Sequence, residues 1–139
     1  MSEQKDIRWI QRFSNFNKAI TLLKKAIDLP SHSEYEKESV IQRFEYTCEL
    51  AWNTLKDYLQ DVGYQDIHGP GNAIQTAFKA GIISDGELWM EMKKSRNNTV
   101  HTYDENEANK IFSDITTRYY PLFDELKQVF DTIKKQSNA

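Results

Sequence analysis

With one cysteine, Cys48, the chain has no partner for an intrachain disulfide and no thiol set for a zinc framework. Only three prolines and five glycines occur, and they cluster between periodic stretches, which suits long helices and argues against many short strands. No apolar run approaches the roughly 18 residues of a membrane span. The stretch Met1 to Ile10 is charged and lacks an apolar signal core, so the cytoplasm is the expected compartment. Positive charge is also in deficit. The net charge is -3, which excludes the broad basic surface of a generic polyanion binder but leaves room for a local basic patch that engages RNA. Aromatic residues, at 12%, are too frequent for a disordered chain.

What is present is a helical pattern over 139 residues, read as a single domain, 1–139, with an ordered core over about 8–134. Trp9, Phe13, Phe16, Ile20, Leu23 and Ile27 step by three and four and predict a first helix from Arg8 to Asp28, stopped by Leu29-Pro30. Val40, Phe44, Cys48, Ala51, Leu55, Tyr58 and Val62 predict a second, from Tyr35 to Asp61, with Gly63 as its cap. Gln42, Arg43, Glu45, Glu49, Lys56 and Asp57 point mostly outward on it. Pro70 opens a short helix that Gly81 stops. Ser84 with Glu87, and Asp104 with Glu107, have capping-box spacing and start two more. The last carries Ala108, Ile111, Phe112, Ile115, Tyr119, Leu122, Leu126, Val129 and Ile133 on one side. Pro121 lies inside it and predicts a kink at Thr117. The expected fold is all-α: an up-and-down four-helix bundle with one extra short helix.

The ladder Leu88, Met92, Arg96, Val100 advances by fours and sets a guanidinium on an apolar stripe. Such a charge either forks to a carboxylate or helix-end carbonyls, or is held at a dimer seam for an anion. His101 falls in or just past the last turn of that helix, where free carbonyls favour an imidazolium. Arg96 and His101 lie roughly 140° apart on an ideal helix, so they converge only if the helix end unwinds or two copies meet. Asn97 and His101 are four apart and share a face. Tyr103 follows in the connection, with its hydroxyl accessible.

The string Arg96-Asn97-Asn98-Thr99-Val100-His101-Thr102-Tyr103 resembles the HEPN signature of Arg, a polar residue, a short spacer, His, then Tyr two residues on. Gln42 to Tyr46 and Leu50 to Leu59 resemble the second helix of the nucleotidyltransferase substrate-binding proteins, which are small HEPN-type bundles. Ala77 to Ile83 and His101 to Glu105 also match, and the likeness runs from about Arg8 to Phe130. The resemblance implies a homodimer paired with a separately encoded minimal nucleotidyltransferase. It also implies relatives that act as toxins cleaving RNA without metal, silenced when the partner attaches AMP to the motif tyrosine. The matching positions here are Arg96, Asn97, His101 and Tyr103. The chain itself shows neither the phosphate loop nor the paired aspartates of a nucleotidyltransferase.

Three functions compete for this segment. In a metal-independent ribonuclease, His101 moves protons, Arg96 steadies the phosphorane-like charge and Asn97 orients the imidazole. A non-catalytic subunit would use the same residues to bind an anion or the transferase. In a purely structural bundle they would only pack. Lys93 and Lys94 are candidate RNA or anion contacts. No cofactor and no metal site is expected, and Glu34, Glu36 and Glu38 read as a soluble loop and helix start. His32 and His68 read as solvated, and Trp9, Trp52 and Trp89 as core or interface. Apolar surplus, Trp89 and Met90 beside Leu88 and Met92, and Tyr119 and Tyr120 beside Phe123, suggests a homodimer face.

Overall fold

The computed structural model describes residues 2–137, with side chains over 8–136. Met1 and residues 138–139, the ends of the expected domain, lie outside the described residues. The fold is all-α, and no strand occurs among the described residues. Helix α1 spans Ser2–Ile27, α2 Glu34–Asp61, α3 Gly69–Lys79, α4 Gly86–Asn97, α5 Glu105–Asp114 and α6 Tyr120–Ser137. A 3-10 turn, Asn98–His101, follows α4, and a π turn, Ile115–Tyr119, joins α5 to α6 without a break.

Aromatic contacts give the topology. Trp9 meets Phe130 and Phe16 meets Phe123, so α1 and α6 run in opposite directions. Phe44 stacks on Tyr119 and Tyr58 packs edge-on to Phe130, so α2 runs parallel to the α5–α6 rod. Arg12 pairs with Asp57 while Arg43 bonds the Leu22 carbonyl, so α1 and α2 are antiparallel. Trp89 against Phe123 and Ser95 against Tyr119 set α4 antiparallel to α6. The four rods form an up-and-down bundle, and α3 fills the connection from α2 to α4.

Helix α2 is the centre, touched by α1, α3, α4 and α5. Its burial therefore exceeds one stripe: besides Val40, Phe44, Cys48, Ala51 and Leu55, it buries Ile41, Thr47, Trp52, Thr54 and Leu59. Asp57, expected outside, is buried and takes the Arg12 guanidinium at 3.0 Å. Val62, expected inside, is about half exposed, because the helix ends at Asp61 and Gly63 turns the chain away at φ +108°. Ser33 caps α2 in a full capping box with Glu36, which extends the helix one residue beyond the expected start. That box accounts for one member of the acidic cluster. His32 is not simply solvated: its Nε2 lies 2.8 Å from the Ala26 carbonyl and its ring packs on Phe112.

Two expectations on the later helices need correction. Helix α4 is capped not by Ser84 but by Asp85, whose side chain accepts the Leu88 N–H at 3.0 Å. Its inner line is Trp89, Met92 and Thr99, not a strict ladder of fours. Steps of four overshoot a 3.6-residue turn and drift off the face, so alternating threes and fours stay buried. Val100 ends up 69% exposed. Before Pro121, with the kink expected at Thr117, the chain makes the π turn, in which the Tyr120 N–H reaches the Ile115 carbonyl. The extra residue rotates the register beyond it. Phe123 and Phe130 are fully buried, while Val129 and Ile133 lie nearer the edge. Trp89 and Tyr119 are core residues and do not count as surplus surface.

The π turn also fixes α4. Tyr119 is buried, and its hydroxyl lies 2.7 Å from Ser95 Oγ, one residue before Arg96. Burial pushes the Tyr119 phenol above its usual range, which keeps it neutral. Arg118 pairs with Glu91 one turn earlier on α4. Replacing Tyr119 by Phe should lower the unfolding free energy by about 1 kcal/mol, the ordinary worth of such a bond. A lower urea midpoint with unchanged far-UV circular dichroism is the expected result, and an unchanged midpoint would remove this bond from the account of α4.

Candidate functional site

The segment from Arg96 to Tyr103 spans the end of α4, the 3-10 turn and the start of the connection to α5. The α-helix tightens there because two threonines take its loose carbonyls. Thr99 Oγ1 donates to the Arg96 carbonyl at 2.8 Å, and Thr102 Oγ1 donates to the Thr99 carbonyl at 2.9 Å. Thr99 is buried, which anchors the turn. The Asp104 N–H closes the segment on the His101 carbonyl at 3.0 Å. Asp104 then caps α5, accepting from the N–H groups of Asn106 and Glu107.

Arg96 reaches across to α2. One guanidinium nitrogen lies 3.3 Å from Glu49 Oε1 and the other 3.9 Å from Glu45 Oε2. Its side chain is 24% exposed, and its Nε is buried without a hydrogen-bond partner. Both glutamates, expected to point outward, face α4. They went unnoticed, yet a signal existed: they stand four apart and flank Cys48 on the inner stripe of α2. A guanidinium on an apolar stripe calls for carboxylates at such a place. Cys48 is fully buried in the same region, and burial pushes its thiol well above the usual range, so it stays protonated and is no nucleophile.

His101 is exposed, and its ring stands edge-on to that of Tyr103 at 6.1 Å. Tyr103 is 85% exposed, and it borders a cleft of about 350 Å³ that also takes in Glu34, Glu38, Lys37 and Thr102. Asn97 lies elsewhere than expected. The tighter turn has three residues per turn, which takes His101 off its face. No hydrogen bond joins the two side chains among the described residues. Asn97 instead lines a groove between α3 and α4, together with Lys93 and Lys94. Within one chain, then, His101 and Tyr103 come together, Arg96 is drawn to α2, and Asn97 with the two lysines opens on the far side. Among the described residues no cluster of His, Cys, Asp or Glu is placed to hold a metal ion, and no helix is long and apolar enough to cross a membrane.

These features define an all-α up-and-down bundle whose Arg96–Tyr103 segment sits at the exposed end of its third long helix. Residues 11–132 match the family described as nucleotidyltransferase substrate binding protein like. The chain belongs to that family. It is 33% identical over 79 residues to a Haemophilus influenzae protein named probable ribonuclease HepT. That match covers 54% of this chain and 54% of the relative, about half its length. A crystal structure of a Thermus thermophilus protein is 34% identical, with a TM-score of 0.74 over 80% of this chain and 94% of that one.

The Arg96 pairs are touched by solvent, since the side chains of Glu45 and Glu49 are 36% and 53% exposed. Arg96→Ala should therefore cost about 1 kcal/mol, in the range of exposed pairs, and not the roughly 3–5 kcal/mol of a fully buried one. Chemical denaturation reads the difference, and a loss of several kcal/mol would mean that Arg96 is chiefly structural.

Proposed function

We propose that this chain is a toxin-like, metal-independent endoribonuclease that works with a separately encoded minimal nucleotidyltransferase and is silenced by AMP attachment to Tyr103. The observation that supports it most is the presentation of the motif. The His101 and Tyr103 rings stand exposed 6.1 Å apart, on a turn held by a buried threonine that bonds the Arg96 carbonyl.

In this reading the RNA supplies its own nucleophile. The 2′-hydroxyl attacks the adjacent phosphorus, its proton passes to an imidazole, and the 5′-oxygen leaves with a proton from a second acid. The products are a cyclic phosphate and a 5′-hydroxyl. His101 moves protons, and Arg96 offsets the charge gathering on the phosphorane oxygens. Asn97 steadies the bound strand or an imidazole. One chain holds one such histidine, so two copies in a homodimer would supply both proton carriers. Exposed Val100 and Tyr103 give that seam an apolar surface within the segment itself. Meeting across the seam would also bring Arg96 of one copy toward His101 of the other.

Incubation with RNA in EDTA tests the reading. Cleavage should fall by about 10²–10⁴-fold in His101→Ala and by about 10²–10³-fold in Arg96→Ala. An inert wild type, or a His101→Ala variant as active as wild type, would sink it.

The exposure of Tyr103 fits modification by a partner. Its hydroxyl would attack the α-phosphorus of ATP, form the phosphodiester and release pyrophosphate. The added negative charge would compete for Arg96, and the nucleoside would cover the turn. Intact mass after incubation with transferase, ATP and magnesium should rise by whole AMP units in wild type. It should not rise in Tyr103→Phe, and an equal gain in that variant removes Tyr103 from the role. A second reading is favoured by the two carboxylates that already engage Arg96: a non-catalytic partner subunit that presents substrate to the transferase. Tight transferase binding without RNA cleavage would select it.

A further inference from the structure

The groove between α3 and α4 has a volume of about 960 Å³ and two unlike ends. Its middle is apolar, formed by Ile74, Phe78 and Met90. Phe78 is 51% exposed at the end of α3. Its ring lies on Gly86, where a Cβ would come within 3.1 Å of the ring. The missing Cβ thus leaves room for this side chain against the start of α4, while about half of Phe78 stays open to solvent. Gly71 makes room in the same way under Lys93 and Met90, whose nearest atoms lie 3.6 and 3.8 Å from a Cβ built there.

At the end toward the motif stand Lys93, Lys94 and Asn97, the residue next to Arg96. Neither lysine has an ion-pair partner among the described residues, since the ion pairs there use other cations. The carboxylates on the groove are mostly engaged: Asp85 caps α4 and Glu91 holds Arg118. Glu87 remains, near the start of α4. From Gly86 to Asn97 the helix rises by roughly 16 Å at about 1.5 Å per residue, so the open ring and the motif stand a few nucleotides apart.

A half-exposed aromatic side chain, a pair of cations without ion-pair partners among the described residues and two side-chain amides, Gln75 and Asn97, form the combination that single strands use. Bases stack on the ring, phosphates meet the cations and amides reach base edges. A paired helix cannot use it, because its bases are already stacked. We propose that the α3–α4 groove is a track for single-stranded RNA, in which an unpaired base stacks on Phe78 and the strand passes Lys93 and Lys94 toward Arg96. This rests on the ribonuclease reading for its direction, and it adds the substrate class: unpaired RNA with a base held upstream or downstream of the cut.

The test measures anisotropy of a short fluorescent oligoadenylate with His101→Ala protein, so that no cleavage intervenes. Phe78→Ala should weaken binding by about tenfold, within the range for loss of one stacked base, while Phe78→Tyr, which keeps a flat ring, should restore it. Circular dichroism establishes that each variant is folded. Removing Lys93 and Lys94 together should flatten the salt dependence by about 1.4 in log–log slope, two phosphates at about 0.7 each. A duplex of matched length should bind without sensitivity to Phe78. Unchanged oligoadenylate binding by folded Phe78→Ala overturns the track, as does equal loss on the duplex. So does loss of transferase binding with RNA binding intact, which gives the groove to a protein. Phe78-dependent binding by a wild type that never cuts RNA leaves the track standing and removes the ribonuclease reading. Cleavage in EDTA with an unaltered kcat/KM in Phe78→Ala does the reverse.

Discussion

A guanidinium cannot rest on an apolar stripe without carboxylates, and that requirement ties the end of α4 to the middle of α2. Glu45 and Glu49 meet Arg96 from one helical turn of α2, at 3.9 and 3.3 Å. Because α2 is the central helix, this contact joins the segment to the helix that α1, α3 and α5 also pack on. The pairs remain partly wet, so they hold the guanidinium without locking it. An incoming phosphate would compete with groups that water already reaches.

The second hold on α4 comes from the rod on its other side. Pro121 cannot give an N–H to the Thr117 carbonyl, and the chain answers with a π turn in which the Tyr120 N–H reaches back to Ile115. That turn rotates Tyr119 inward to stack on Phe44 and meet Ser95, and it brings Arg118 to Glu91. Helix α4 is thus pinned by polar contacts on two faces and by Trp89 and Met92 between them. With its body fixed, its last turn can tighten and carry His101 and Tyr103 into solvent.

The segment therefore has two aspects. One face offers His101, Tyr103 and Val100, exposed around a short rigid turn. The other offers Asn97, Lys93 and Lys94 along the α3–α4 groove. Arg96 lies between them. An enzyme acting on a polymer needs both a reacting centre and a path that delivers the chain to it, and the two faces of one helix end divide that work in the proposed reading.

The helical pattern was legible in the sequence because burial follows the 3.6-residue period. Trp9, Phe13, Phe16 and Leu23 on α1, and Phe44, Cys48 and Leu55 on α2, are where their spacing puts them. The motif was legible as a string, and so was the need of Arg96 for a partner. The partners themselves depend on which face of α2 meets α4, a fact of packing between segments far apart in the chain. The same holds for buried Asp57, whose Arg12 sits forty-five residues away. Beyond the π turn spacing placed Leu122 and Leu126 inside but missed Phe123 and Phe130, and it put Val129 deeper than the edge position it holds. Local sequence determined which segments are helices, and where Asp104 starts one and Gly63 stops another. Only the tertiary structure decided which of those residues meet, because the rotation of each helix about its axis is fixed by its neighbours and not by its own period.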